Sequence, residues 1–151
     1  MEFVNLHHIV KETLFDILIV KEITGGVYNG ERGRLEGPCE KDLCKCREAF
    51  DTERYSWKQI EAALRIGYDH AQQRRKKLCI VDKADKLESS RLWREVAELV
   101  IKDFPQIETS FLYVDEAAGQ LVSAPQKFDV IVTTGLFGDI LYSELSALAA
   151  M

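Results

Sequence analysis

The chain has 151 residues, 46 % of them hydrophobic and 30 % charged, the profile of one globular domain over residues 1–151 rather than of a disordered tail. Twenty-five acidic against twenty basic side chains leave a net charge of −5, which excludes nucleic acid as the main partner because that partner asks for a basic face. The densest apolar stretch, Ile17-Leu18-Ile19-Val20, is far shorter than the ~18 residues of a membrane span, and the opening residues lack the basic start and apolar block of a secretory signal. No membrane partner and a cytoplasmic location are therefore expected.

In chain order, Asp16–Val20 reads as a buried strand: short, apolar and β-branched. Thr24-Gly25-Gly26 interrupts it. A polar stretch of about 29–47 follows, too poorly alternating to bury a face, and is expected to be an extended arm leaning on something else. It carries Cys39, Cys44 and Cys46, whose spacing lacks the pairs of a zinc ribbon; exposed loop thiols in a reducing cytosol are expected. Ser56 and Gln59 have the spacing of a capping box, and Ile60, Ala63, Leu64, Gly67, Tyr68 and Ala71 recur as one helical face. Arg74-Arg75-Lys76-Lys77 is expected to close that helix by complementing its negative end rather than to bind phosphate. Leu78–Val81 is a second buried strand. Ser89 or Ser90 is the expected cap of a helix with its face on Leu92, Trp93, Val96, Leu99, Val100 and Phe104, stopped by Pro105. Ser110–Val114 is a strand, and a short helix runs from about Glu116 to Val122. Asp129–Thr133 is a strand and Phe137–Ala150 a last helix, with Ile140, Leu141, Leu145 and Leu148 inward. Strands separated by helices predict an α/β fold with a mainly parallel sheet flanked by helices and a protruding β arm.

Ligands of open α/β sheets collect at the carboxyl ends of strands. Here those ends bring together Lys21-Glu22 with Tyr28, the Asp82-Lys83-Ala84-Asp85 turn, Asp115-Glu116, and Gly135–Asp139. Carboxylates without histidine or thiol suit a hard cation such as Mg2+ or Mn2+. A cation can polarise a hydroxyl or carbonyl oxygen. A lysine beside it, or partly desolvated, is expected to have a lowered pKa and to serve as a base, with a tyrosine handling a proton on the other side.

These residues carry a resemblance. Lys21-Glu-Ile-Thr-Gly-Gly-Val-Tyr28-Asn-Gly30 resembles the Arg-Glu-x-Thr-Gly-Gly-x-Tyr-x-Gly segment of the 3-isopropylmalate dehydrogenase family. Residues 49–55 are similar to the stretch after that family's arm, and 74–95 to its lysine segment. Tyr113-Val114-Asp115, 128–133 and Leu136–Leu141 follow in the family's order. Relatives acting on isocitrate and homoisocitrate share the plan; Thr24-Gly25-Gly26 favours the isopropylmalate branch. The resemblance implies the central, dimer-forming domain of a homodimer paired through the arm and the last helices. It implies NAD- and Mg2+- or Mn2+-dependent oxidation of the 2-hydroxyl of (2R,3S)-3-isopropylmalate, a small 2-hydroxy acid, followed by loss of carbon dioxide, in leucine biosynthesis. Carried over, Asp115 and Asp139 bind the metal with Ser143 at a third ligand position. Lys83 is the base from the partner's side, Tyr28 protonates the enol, and Lys21 and Asp85 face the substrate.

Several positions depart from the family. Lys21 stands where it has arginine, which removes a bidentate partner for a substrate carboxylate. Asp85 stands for asparagine, Ser143 for an aspartate and Gly135 for asparagine. The resemblance also places the opening glycine-rich strand, two substrate arginines and most of the NAD site outside the sequence, so the chain alone is expected to be inactive. Two other readings stay open: a non-catalytic dimerisation or binding module derived from this family, and a relative acting on another 2-hydroxy acid such as tartrate or isocitrate.

Overall fold

The computed structural model describes residues 5–12, 15–37 and 47–150, and of residues 5–12 the backbone alone. Cys39, Cys44 and Cys46 lie outside the described residues. Four strands are parallel: β2 (Phe15–Glu22), β5 (Lys77–Asp82), β6 (Glu108–Tyr113) and β7 (Val130–Thr134). An antiparallel strand, β1 (Asn5–Glu12), pairs with β2 from Asn5 opposite Glu22 to Glu12 opposite Phe15. The order across the sheet is β1-β2-β7-β5-β6. The sequence reading started the sheet at Asp16 and missed β1. Asn5–Glu12 holds two histidines and no continuous apolar run, and an edge strand needs neither.

Side chains on successive strand residues point to opposite faces. Leu18, Val20, Leu78, Ile80, Val130 and Val132 therefore share one core with α1 (Trp57–Gln72) and α2 (Glu88–Val100). Ile17, Ile19, Cys79, Val81 and Ile131 share the other with α3 (Val114–Ser123) and α4 (Gly135–Ala149). Each fully buried aliphatic side chain contributes about 1.5–3 kcal/mol. Two-sided burial is why these strands read as continuous apolar runs. Cys79 is a free thiol in the second core, and burial pushes it up to about 11.

α1 begins as expected. The Gln59 amide donates to Ser56 Oγ at 3.1 Å and the Ser56 amide to Gln59 Oε1 at 2.9 Å. The basic run after it is a correction. The helix ends at Gln72, so Arg74–Lys77 do not sit in its last turn. Arg74 Nε and the Arg75 amide instead donate to Asp129 at 2.8 Å each, tying the exit of α1 to the start of β7. α2 is a second correction. It starts at Glu88 without a side-chain cap, while Ser89 Oγ reaches Glu53 and Ser90 Oγ accepts the Lys83 amide at 3.0 Å. Leu99 and Ile140, expected inward, are exposed; Leu148 is half-buried. α2 stops at Val100, and Phe104 enters the core from the turn that follows.

The arm is a hairpin of β3 (Arg32–Glu36) and β4 (Arg47–Asp51), and so reaches four residues further than predicted. Its described side chains are exposed except for half-buried Gly33. Leu35 and Phe50 are among them. A two-stranded ribbon without a core is marginal at best on its own. Among the described residues, no helix is long and apolar enough to cross a membrane.

Candidate active site

The carboxyl edge of the parallel sheet gathers the predicted residues into two groups. The first forms where β2 and β7 end. Lys21 shares its strand face with Ile17 and Ile19, so its stem runs along the α4 side, and Nζ donates to Asp139 Oδ1 at 2.6 Å. Asp139 lies in the second turn of α4, whose start Thr134 caps by accepting the Phe137 amide at 3.1 Å. Gly138 is required there: a Cβ would lie 2.3 Å from Lys21 Cγ.

Glu22 points the other way and is fully buried. Its carboxylate accepts the amides of Thr24 and Gly25 at 2.9 Å each, and the Thr24 hydroxyl. Gly26 has φ +83°, and a Cβ on it would stand 2.2 Å from the Tyr55 hydroxyl; only glycine suits that backbone and that space. Tyr55 is anchored by hydrogen bonds to the Thr134 side chain and the Gly135 backbone, and burial pushes its phenol upward. The Thr-Gly-Gly motif is therefore a buttressed turn. It returns the chain so that the Tyr28 ring lies over Gly135, with 3.5 Å from Cδ2 to the position of an added Cβ. Partial burial first, then the neighbouring Asp139 carboxylate, raises the pKa of the Tyr28 hydroxyl.

The second group forms where β5 and β6 end. Asp82 is buried and accepts Arg94 Nε at 2.7 Å, a second Arg94 nitrogen at 3.0 Å, and the Ala84 amide at 3.1 Å. With Ser90 on the Lys83 amide, this pins the turn that presents Lys83. Lys83 Nζ donates to Asp115 Oδ1 at 2.8 Å and lies 3.8 Å from Asp85. Asp115 sits in the first turn of α3, not at a strand end as the sequence suggested. The hydrogen bond to Asp115 raises the Lys83 pKa, and the same bond lowers that of Asp115.

The structure brings Tyr28 to Asp139 and Lys83 to Asp115. The first pair stands where β2 and β7 end and the second where β5 and β6 end, and β7 and β5 are neighbours in the sheet. Ser143 is exposed one helical turn beyond Asp139. Sequence reasoning assigned no role to Glu22, Tyr55 or Asp82. Their one signal was a polar residue directly after, or packed beside the end of, an apolar run.

The profile of the family described as isocitrate/isopropylmalate dehydrogenase matches residues 2–151. The chain belongs to the isocitrate/isopropylmalate dehydrogenase family. The curated 3-isopropylmalate dehydrogenase of Pseudomonas fluorescens is 54 % identical over 134 residues, 88 % of this chain and 36 % of that protein. That of Pseudomonas putida is 53 % identical with the same coverage. Among solved structures, isocitrate dehydrogenase from Methylococcus capsulatus superposes with a TM-score of 0.80 at 34 % identity, over 89 % of this chain and 39 % of that one. The chain spans about 36 % of the length of these curated dehydrogenases.

The family resemblance implies a divalent metal. Among the described residues, no three His, Cys, Asp or Glu side chains come together as a cation site. Asp139 and Asp115 stand in separate groups, each against a lysine, and Ser143 adds no charge. Within one chain the donor set does not fit a divalent cation. Nor does any strand-to-helix turn here carry the glycine spacing of a dinucleotide fingerprint.

Proposed function

We propose that this chain is the central, dimer-forming part of an enzyme that oxidises and decarboxylates (2R,3S)-3-isopropylmalate in cytoplasmic leucine biosynthesis. The observation that carries the reading is the Tyr28–Asp139–Lys21 group, built by the Thr24-Gly25-Gly26 turn at the carboxyl edge of the sheet. NAD, held mostly by residues other than these, would supply the hydride acceptor for C2. The remaining work falls to side chains present here. Lys83, in the neutral amine form left once its own proton has passed to solvent, takes the C2 hydroxyl proton. The β-keto acid then loses carbon dioxide, and the Tyr28 hydroxyl, its proton retained by the neighbouring Asp139 charge, delivers a proton to the enolate carbon. Lys21 and Asp85 flank the substrate from the two groups.

Following the family resemblance, the reading places Lys83 of a second copy opposite Tyr28. The bare arm supports this: Leu35 and Phe50 need a cover, and a two-fold pairing of arms supplies one. Sedimentation should show a dimer, and replacing residues 29–47 by a short glycine linker should give a folded monomer. A monomer in both cases removes the shared site.

The function is tested by a chimera in which residues 16–141 replace the matching segment of the Pseudomonas fluorescens 3-isopropylmalate dehydrogenase. Isopropylmalate-dependent NADH formation at 340 nm is expected. Turnover of isocitrate or tartrate instead would assign a different 2-hydroxy acid. A folded dimeric chimera without turnover would assign a non-catalytic module, the second reading, which the lysine-occupied carboxylates favour.

A further inference from the structure

Asp139 already carries a cation. The Lys21 side chain is 7 % exposed and its ammonium is 2.6 Å from Asp139 Oδ1. The stem lies close against Gly138, where an added Cβ would meet Lys21 Cγ at 2.3 Å and Cδ at 2.6 Å. A divalent ion arriving at Asp139 has to strip away the ammonium and leave it buried without its anion, which is the costly way to break such a pair. The next polar side chain along the α4 face, Ser143, is neutral and repays none of that loss.

We propose that Lys21 is an internal counter-ion that occupies the cation's place on Asp139, so that Mg2+ or Mn2+ and the Lys21 ammonium compete for one carboxylate. The inference rests on the reading above only in its choice of cation. On this reading the positive charge at Asp139 belongs to the polypeptide. The substrate then meets a fixed univalent donor, a point charge with three protons, instead of a divalent Lewis acid.

The test is Mn2+ binding to the purified chain, followed by the electron paramagnetic resonance signal of free Mn2+. Lys21→Met keeps the length and apolar stem and removes the charge. It should tighten Mn2+ binding about tenfold or more, and Lys21→Met with Asp139→Asn should lose the gain. Lys58→Met, an equal charge change at an exposed position of α1, should gain nothing. In the parent chain, Asp139→Asn should leave Mn2+ binding unchanged, which keeps the proposal testable should Lys21→Met fail to fold. Equal affinity of parent and folded Lys21→Met overturns it, as does weakened binding by Asp139→Asn alone. Inactivity of the chimera above would sink the catalytic reading without altering these binding outcomes.

Discussion

Asp129→Ala is expected to lower the free energy of unfolding by about 3–5 kcal/mol, the usual loss when one partner of a buried charged network is removed. The measurement is urea unfolding, with a fall in midpoint at unchanged slope. The Asp129 side chain is 0 % exposed. It accepts Arg74 Nε and the Arg75 amide at 2.8 Å, with the Lys77 amide at 3.4 Å. Arg74 goes on to the Asp16 carbonyl at 2.8 Å and its carboxylate at 3.0 Å. One carboxylate thus joins the starts of β2, β5 and β7 at the end of the sheet opposite the site. Alanine leaves Arg74 Nε and the Arg75 amide without their acceptor, and both are costly unpaired. A loss under about 1 kcal/mol would show that water replaces the carboxylate and that the network is an ordinary surface one.

In the chimera, Lys83→Met should reduce kcat by about 10²–10⁴-fold, the range for a general base, with unfolding shifted by no more than about 0.5 kcal/mol. These two effects separate because the turn does not depend on the amine. Asp82 holds it through Arg94 and the Ala84 amide, and Ser90 holds the Lys83 amide. The guanidinium of Arg94, stacked 5.0 Å from the Tyr113 ring centroid and 5.2 Å from that of Phe111, keeps the buttress in place. Lys83→Arg should not rescue, since guanidinium does not give up its proton in this range. Turnover within tenfold of the parent would remove Lys83 from the chemistry and leave it as a partner of Asp115.

Much of the architecture was legible. The runs Ile17–Val20, Leu78–Val81 and Val130–Thr133 are buried on both faces, and two-sided burial writes itself into sequence as uninterrupted apolar residues. The α1 face and its Ser56/Gln59 box are local, within one or two helical turns, and were read without error. The misreadings were of another kind. Arg74–Lys77 have a local explanation, the helix end, and a distant one, Asp129; the distant partner won because it is a buried carboxylate. Ser89 and Ser90 are good caps by type, yet Glu53 and the Lys83 amide claimed them. Ile140 follows the apolar pattern of α4 but lies on the side away from the sheet.

The sequence by itself determined the family, the layered α/β plan and the identity of the groups that could do chemistry, because those depend on residue type and short spacing. Only the tertiary structure decided which charges neighbour which. It paired Lys21 with Asp139 and Lys83 with Asp115. Electrostatics falls with distance in space rather than along the chain, and 118 residues separate Lys21 from the carboxylate that it holds.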